Sequence, residues 1–209
     1  MKEYWDTRYM EGGMIWGNTP SQSALHANDI FKSNHVNSIL VPGSGYGRHT
    51  SYFFKQGYHV EGIEISKEAI RLARTLHPEI TYYNGSVLDM PFSTLKYDAI
   101  YCFNVLHLFM EKDRHKLIKL CMEALIEHGI AFFTVFSEQE PSFGNGSESE
   151  LNTFESKPGR PVHYFSEDDL LTHFSDFEVM ETNLIRDNEN HGDIGEHEHI
   201  LRTICVRKI

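Results

Sequence analysis

The chain has 209 residues, of which 40% are apolar and 23% are charged, and its formal net charge is −11 at pH 7. This length and composition fit one globular domain with a hydrophobic core and argue against extended disorder. The negative charge would repel a duplex nucleic acid, and no apolar run reaches the roughly 18 residues of a membrane-spanning helix, so we expect neither nucleic acid nor membrane as a partner. A small molecule is the expected substrate.

Two further features indicate a cytoplasmic location. The three cysteines, Cys102, Cys121 and Cys205, are scattered in apolar runs, which predicts buried thiols in a reducing compartment. The opening MKEYWDTRYM contains acidic and aromatic residues where a signal peptide needs a basic end and an apolar stretch. We expect a cytoplasmic protein that is a monomer or a homodimer.

Strand and helix patterns alternate along the chain, which predicts an α/β fold with a mostly parallel sheet. The predicted helices cover residues 21–32, 48–57, 66–77, 112–128 (closing at Gly129) and a segment that begins at Ser166. The predicted strands cover residues 37–41, 59–65, 80–83, 97–103, 130–136, 177–185 and 199–208. Because residues 130–136 (IAFFTVF) are continuously apolar, this strand should lie in the middle of the sheet.

Residues 138–164 interrupt this regularity, since they are rich in Gly, Ser, Pro and acidic residues. Structureless loops of this length are usually functional or disordered, and this one leaves a strand at the sheet edge where open α/β sheets bind ligands. We find no internal repeat and no second domain. We therefore expect a single domain over residues 1–209, with an N-terminal cover and helix at 1–33 and a lid loop at 138–164.

A glycine-rich loop, Gly43-Ser44-Gly45-Tyr46-Gly47, lies between the first predicted strand and the next helix. Glycines there allow a sharp turn and a close ligand approach, and the free N–H groups of a helix start favour an anion. Glu64 ends the second strand, where a carboxylate can accept hydrogen bonds from both hydroxyls of a ribose. A dinucleotide-binding loop has its third glycine one residue later, at the position of Arg48, so the spacing favours S-adenosylmethionine (SAM) over NAD.

From here the sequence resembles the class I SAM-dependent methyltransferases through four motifs, in order: ILVPGSGYG, GIEIS, NGSVLDMPF and YDAIYCFNVLHLF. The N-terminal segment WDTRYMEGGMIWGNTPS is similar to the tellurite-resistance and thiopurine methyltransferases. The resemblance implies a three-layer Rossmann-like fold with a mostly parallel seven-stranded sheet and an antiparallel last strand. It also implies methyl transfer from SAM to a small molecule, at a soft atom such as S, Se or Te, with S-adenosylhomocysteine (SAH) as product.

The cofactor-binding residues expected from these motifs are Trp16, Gly43, Ser44, Gly45, Gly47, Glu64, Ile65, Ser86, Val87, Asp89 and Asn104. By resemblance, the glycine loop holds the methionyl part, Glu64 the ribose, residues 86–89 the adenine, and Asn104 the methionyl chain. Ser86 stands where many members carry an acid, so Asp89 or the backbone is expected to contact the adenine amino group. Trp16 or Tyr46 offers an aromatic face to the sulfonium.

Three residues are predicted on the acceptor side. In-line methyl transfer depends mainly on alignment, which contributes roughly 7–11 kcal/mol, more than a general base usually does. His107 would lie near the methyl group and act as a base for a protonated acceptor; the alternative is an imidazole hydrogen-bonded to the backbone. Arg160 or His163 would touch the substrate; the alternative is that they anchor the loop.

His191, His197 and His199 raise the question of a metal site, since residues two apart on a strand share a face. Acidic residues alternate with these histidines and methyl transfer needs no metal, so we expect a solvated or substrate-facing strand edge and no metal. Two other functions remain open: a nicotinamide-dependent oxidoreductase, and a catalytically silent SAM-binding protein.

Overall fold

The computed structural model describes residues 2–190 and 196–209. Its helices are α1 (Lys2–Gly12), α2 (Gln22–Ser33), α3 (Arg48–Lys55), α4 (Lys67–Leu76), α5 (Glu111–Ala124) and α6 (Glu167–His173). Its strands are β1 (Ser38–Pro42), β2 (His59–Glu64), β3 (Thr81–Asn84), β4 (Tyr97–Phe103), β5 (Leu125–Phe136), β6 (Ser147–Glu150), β7 (Thr153–Lys157), β8 (Arg160–His163), β9 (Glu178–Asn190) and β10 (Glu196–Arg207). Two 3₁₀ turns occupy Val87–Asp89 and Leu106–Leu108.

The main sheet has seven strands in the order β3-β2-β1-β4-β5-β10-β9. The first five are parallel, and β10 runs antiparallel to both β5 and β9. The strand order reverses between β1 and β4, which creates the crevice where open α/β sheets bind ligands. The predicted mostly parallel, seven-stranded sheet with an antiparallel last strand is confirmed.

Helices cover both faces of the sheet because its central strands are apolar on both sides. On β5, Phe132 packs in a cluster with Phe31 of α2, whereas Phe133 packs in a second cluster with Leu117 of α5 and Phe174. All of these side chains are fully buried. Alternate residues of one strand thus bury opposite faces, and the predicted central position of this strand is confirmed.

The helix predicted at residues 112–128 was wrong at its C-terminal end. α5 ends at Ala124, and Leu125 is already extended and paired with Tyr97 of β4. Gly129 is therefore no helix cap and lies inside β5. The side chain of Leu125 is buried at the sheet, and this tertiary contact outweighs the local helical pattern.

The predicted lid loop at 138–164 contains three strands, so the expectation of an irregular loop was wrong. β6, β7 and β8 form an antiparallel sheet, called here the lid sheet. Its two hairpins turn at Asn152 and Gly159, both with left-handed backbone (φ 56° and 71°). Asn and Gly adopt that conformation most readily, so they favour the two tight turns. The hairpins are therefore specified by the residues of their turns, since their short polar strands have no alternating apolar pattern.

The N-terminal segment forms α1, which lies against α4. The Asp6 carboxylate accepts hydrogen bonds from the Ser66 hydroxyl (2.7 Å) and the Glu68 backbone N–H (3.3 Å). Within the residues that the structure describes, none of the helices has the length and apolar character that a membrane crossing requires.

Candidate active site

A cavity of about 420 Å³ lies where the five parallel strands end. The glycine loop after β1 forms one wall, and residues at or just after the ends of β2 to β5 form others. α1 and the lid sheet cover it, with Trp5 and Tyr9 on one side and Arg160 and Val162 on the other. The cavity is thus at the expected edge of the sheet, where the strand order reverses.

Most of the predicted site residues line this cavity. On the cofactor side these are Trp16, Gly43, Ser44, Gly45, Glu64, Ile65, Ser86, Val87 and Asn104, and on the acceptor side His107 and Arg160. Gly47, Asp89 and His163 do not line it. Gly47 instead precedes α3 with φ 93°, and Asp89 ends a 3₁₀ turn.

The glycine loop follows a path that other residues would obstruct. Gly43 and Gly45 have left-handed backbone, with φ of 69° and 55°. A Cβ on Gly43 would lie 2.3 Å from Cγ2 of Val105, and a Cβ on Gly45 would lie 2.9 Å from the Tyr9 hydroxyl. Both the conformation and the space therefore require glycine.

Glu64 is buried, yet its carboxylate lines the cavity. Oε2 accepts a hydrogen bond from the Gly45 N–H (2.9 Å) and Oε1 accepts one from the Ser66 N–H (2.8 Å). Burial raises the pKa of Glu64, and these two backbone hydrogen bonds oppose the rise. Because each carboxylate oxygen can accept two hydrogen bonds, the group can fix the loop and still bind a ligand hydroxyl.

Ser44 lines the cavity as part of the glycine loop. Its hydroxyl is buried against Gly62 of β2, where a Cβ would lie 2.7 Å from the oxygen, and it has no hydrogen-bond partner among the residues that the structure describes. The close approach of β2 to the loop therefore also requires glycine at position 62.

Asn104 has the left-handed backbone (φ 54°) that is uncommon outside glycine. Two hydrogen bonds of 2.9 Å to Thr134 of β5 hold it: the Asn104 N–H donates to the threonine hydroxyl, which in turn donates to the Asn104 side-chain oxygen. Asparagine adopts this conformation more readily than other non-glycine residues, so it suits this turn at the cavity wall.

His107 is a neutral, buried imidazole. Its Nδ1 accepts a hydrogen bond from the Phe136 N–H (3.3 Å), and its ring stacks on the Phe136 ring at a centroid distance of 4.2 Å. Burial, together with His199, His163 and Arg160, lowers the pKa of His107 to about 3. Since Nδ1 accepts, the proton is on Nε2, and the ring is suited to donate a hydrogen bond.

Arg160 spans the cavity from the lid sheet to α1. Its guanidinium carbon lies 3.9 Å from the ring centroid of Tyr4 and 6.0 Å from that of Trp5. The contact joins the two covering elements over the cavity. Arg8, on the same face of α1, also lines the cavity.

His163 lies beside the cavity and joins the lid sheet to α6. Nδ1 is 2.8 Å from the Thr153 hydroxyl of β7, and Nε2 is 2.6 Å from Oδ2 of Asp169. Burial lowers the pKa of His163, and Asp169 opposes this effect. This geometry matches the loop-anchoring alternative.

Several cavity residues were not predicted, among them Tyr4, His49, Phe109 and Phe136. His49 is buried on α3 with Nε2 3.1 Å from the Ser21 hydroxyl, and burial lowers its pKa well below the ordinary value. Its position in the predicted helix, two residues after Gly47, is the feature of the sequence that could have indicated a place beside the glycine loop.

Within residues 2–190 and 196–209, no cluster of three His, Cys, Asp or Glu residues could hold a metal ion. His191 and the side chain of His197 lie outside the described residues. His199 lines the cavity, with Nδ1 2.8 Å from Oε1 of Glu140.

The strand order, the antiparallel β10 and a glycine loop with an acidic partner at the reversal point define the class I methyltransferase fold. Residues 39–129 match the family model described as a methyltransferase domain. These residues include the glycine loop, Glu64 and the third and fourth sequence motifs, so the match agrees with the predicted resemblance to methyltransferases.

The chain is also similar to a curated protein and to solved structures. An uncharacterized methyltransferase of Oceanobacillus iheyensis is 28% identical over 109 residues, which are 51% of this chain and 51% of the relative. The match therefore spans about half the length of the curated relative. A Burkholderia thailandensis 1,6-didemethyltoxoflavin-N1-methyltransferase, solved with SAH, has a TM-score of 0.72 at 18% identity and covers 99% of this chain and 86% of its own. TehB of Haemophilus influenzae has a TM-score of 0.70 at 17% identity, covering 100% and 67%.

Proposed function

We propose that the protein transfers the methyl group of SAM to a small-molecule acceptor and releases SAH. One observation carries the proposal: the glycine loop and the buried Glu64, whose carboxylate accepts the Gly45 N–H, line one cavity at the point where the strand order reverses. The methyltransferase domain match favours this cofactor over a nicotinamide.

Different cavity residues would bind the methionyl, ribose and adenine parts of the cofactor. The backbone of Gly43 and Gly45, with Ser44 and Asn104, would hold the methionyl end, and Glu64 would accept hydrogen bonds from the ribose hydroxyls. The adenine-side residues are Ile65, Ser86 and Val87. Gly47 and Asp89 would act indirectly, because Gly47 ends the glycine loop and Asp89 ends the 3₁₀ turn that begins at Val87. Trp16, stacked on Tyr46 at 6.4 Å, would present an aromatic face to the sulfonium.

When bound, the cofactor supplies a methyl group that its sulfonium has already activated. The protein then has to align the acceptor and exclude water, a contribution of roughly 7–11 kcal/mol. Phe103, Leu108 and Phe136 form apolar walls, while α1 and the lid sheet close the cavity. His107 would donate its Nε2 hydrogen to the acceptor, and no protein nucleophile is required.

We further propose which atom accepts the methyl group, where the protein is located and how it is organised. Support for a soft acceptor atom (S, Se or Te) comes from the N-terminal segment WDTRYMEGGMIWGNTPS. Three buried free thiols support a cytoplasmic protein, and the net charge of −11 supports the absence of a nucleic-acid partner. We propose a single domain that is a monomer or homodimer, with residues 138–164 as the lid.

The decisive test compares cofactors by calorimetry and tryptophan fluorescence. Trp5 and Trp16 are the only two tryptophans and both line the cavity, so SAM and SAH should bind and change the fluorescence. NADH should not bind; tighter binding of NADH than of SAH would contradict the proposal and favour an oxidoreductase. Turnover of labelled SAM is then measured against thiols, selenite, tellurite and phenols. Binding without turnover on every acceptor would favour a silent SAM-binding protein.

A further inference from the structure

We propose that the acceptor is a small aromatic acid, whose carboxylate binds Arg160 while its ring lies on the apolar wall of the cavity. This inference rests on the proposed function and names its acceptor class. Its starting point is that Arg160 and Arg8 both line the cavity, and neither has a carboxylate within 4.0 Å in the part of the chain that the structure describes.

Unpaired arginines stand out in this strongly acidic chain. Within the described part of the chain, five of the nine arginines form ion pairs with glutamates, namely Arg71, Arg114, Arg186, Arg202 and Arg207. The net charge of −11 makes acidic partners abundant on the surface. Two guanidinium groups kept away from them, inside a cavity, are complementary to anionic ligands.

The two arginines lie at different ends of the cavity. The charge of Arg8 acts on Tyr9, whose hydroxyl borders the glycine loop, so Arg8 is near the cofactor end and suits the carboxylate of the methionyl group. Arg160 follows the turn into β8, which packs on the 3₁₀ turn Leu106–Leu108, and its charge acts on His107. Arg160 is therefore at the acceptor end.

The Arg160 guanidinium is held in place without using its hydrogen-bond donors. It rests on the Tyr4 ring at 3.9 Å, a contact made through the face of the ring. No hydrogen bond from its five N–H groups to a described residue is found, so they remain for a ligand. A planar fork of this kind matches the two oxygens of a carboxylate.

Apart from the neutral His107 and from His199, the acceptor end is lined by apolar side chains. Phe109, Phe136 and Val162 line it, and Glu64, at the cofactor end, is the one acidic residue among the described residues that line the cavity. An aromatic ring gains favourable stacking against such walls, whereas a cationic acceptor would meet Arg160 with no carboxylate to offset it. The volume of about 420 Å³ must also hold the cofactor, which limits the acceptor to a small molecule.

The test uses two probes that share a ring and a thiol, 4-mercaptobenzoate and its methyl ester. Their affinity for the SAH-saturated protein is measured by calorimetry and tryptophan fluorescence. The wild type should bind the acid at least about tenfold more tightly than the ester, the size expected for charge-assisted hydrogen bonds. Arg160→Gln should remove most of this preference and leave the ester affinity unchanged, and Arg160→Lys should retain part of it.

Arg71→Gln is the matched control, because Arg71 is exposed on α4 and pairs with Glu68. It should keep the full preference, and all variants should unfold at similar temperatures. The acceptor class is refuted if the wild type binds acid and ester equally, if Arg160→Gln keeps the preference, or if neither probe binds. Failure of SAH itself to bind would instead refute the proposed function, so the two failures are distinguishable.

Discussion

Replacing Glu64 with glutamine tests two roles of this carboxylate: holding the glycine loop and α4 by hydrogen bonds, and the proposed binding of the ribose. The wild-type oxygens accept hydrogen bonds from the backbone N–H groups of Gly45 and Ser66. Glutamine keeps the size but has one oxygen and one NH₂ group, so one of these buried N–H donors would face another donor. The change also removes the negative charge that would bind the ribose hydroxyls.

The expected magnitudes follow from these contacts. One buried N–H left without an acceptor lowers the free energy of unfolding by about 1–3 kcal/mol. The loss of charge-assisted hydrogen bonds to the ribose weakens SAH binding by about 1.5–3 kcal/mol, which is roughly a tenfold to hundredfold increase in Kd. Urea unfolding and calorimetry measure the two effects separately.

Glu61→Gln is the matched control, because Glu61 lies on the same strand and is also buried, but does not line the cavity. It accepts a hydrogen bond from the Tyr97 hydroxyl. We expect lower stability with unchanged SAH affinity. The reasoning fails if folded Glu64→Gln binds SAH as the wild type does, or if Glu61→Gln loses as much affinity.

Two further predictions concern the same cavity. The pKa of His107 is about 3 in the folded protein and about 6.5 when unfolded, so its contribution to stability is present above pH 6.5 and is lost as the pH falls towards 3. Between pH 7 and pH 5 the loss is about 2 kcal/mol, and His107→Gln should abolish this part of the acid sensitivity in urea unfolding; equal losses in both proteins would contradict the assignment. Gly45→Ala, strained at φ 55° and crowded by the Tyr9 hydroxyl, should lose about 1 kcal/mol or more of stability and weaken SAH binding. Gly57→Ala, at φ 97° in open space, should lose stability but retain the affinity, and equal affinities of the two variants would overturn the role of the loop.

The parts of the fold that the sequence predicted are those in which local pattern and tertiary environment agree. β4 occupies the predicted residues 97–103, and Ser66 and Ser166 cap α4 and α6 through their hydroxyls as expected. The continuous apolar run of β5 requires cover on both faces, and only a central strand receives it. In these elements a single requirement, either a hydroxyl cap at a helix start or burial of apolar side chains, determines the structure.

The lid sheet and α1 were harder to predict because neither has a strong apolar pattern. The strands of the lid sheet are polar and short, and they are held by backbone pairing with one another. α1 fully buries only Tyr9, which packs with Tyr46 and Ala69, and the hydrogen bonds of Asp6 tie the helix to residues some sixty positions away in the chain. Such contacts carry no local periodicity.

The same distinction applies to the cavity. The glycine loop and Glu64 lie within one strand-helix-strand unit, where spacing alone indicates a ligand site. Tyr4 and Phe136 reach the cavity only because α1 and β5 are brought together by the completed fold. The sequence therefore predicts the part of the cavity lined by the glycine loop and Glu64 well and the part lined by Tyr4 and Phe136 poorly, because the first residues are local in the chain and the second are brought together only by long-range contacts.

The N-terminus of α4 links the glycine loop to α1. Glu64 accepts the N–H of Ser66 from one side, while Asp6 of α1 accepts its hydroxyl and the N–H of Glu68 from the other. Both carboxylates are favoured there, because the first N–H groups of a helix lack partners within it and carry partial positive charge. The loop that would bind the cofactor and the helix that covers it thus share one anchor. Together with the packing of Trp5 and Tyr9 against Tyr46 and Ala69, this anchor explains why α1 has a defined place over the cavity.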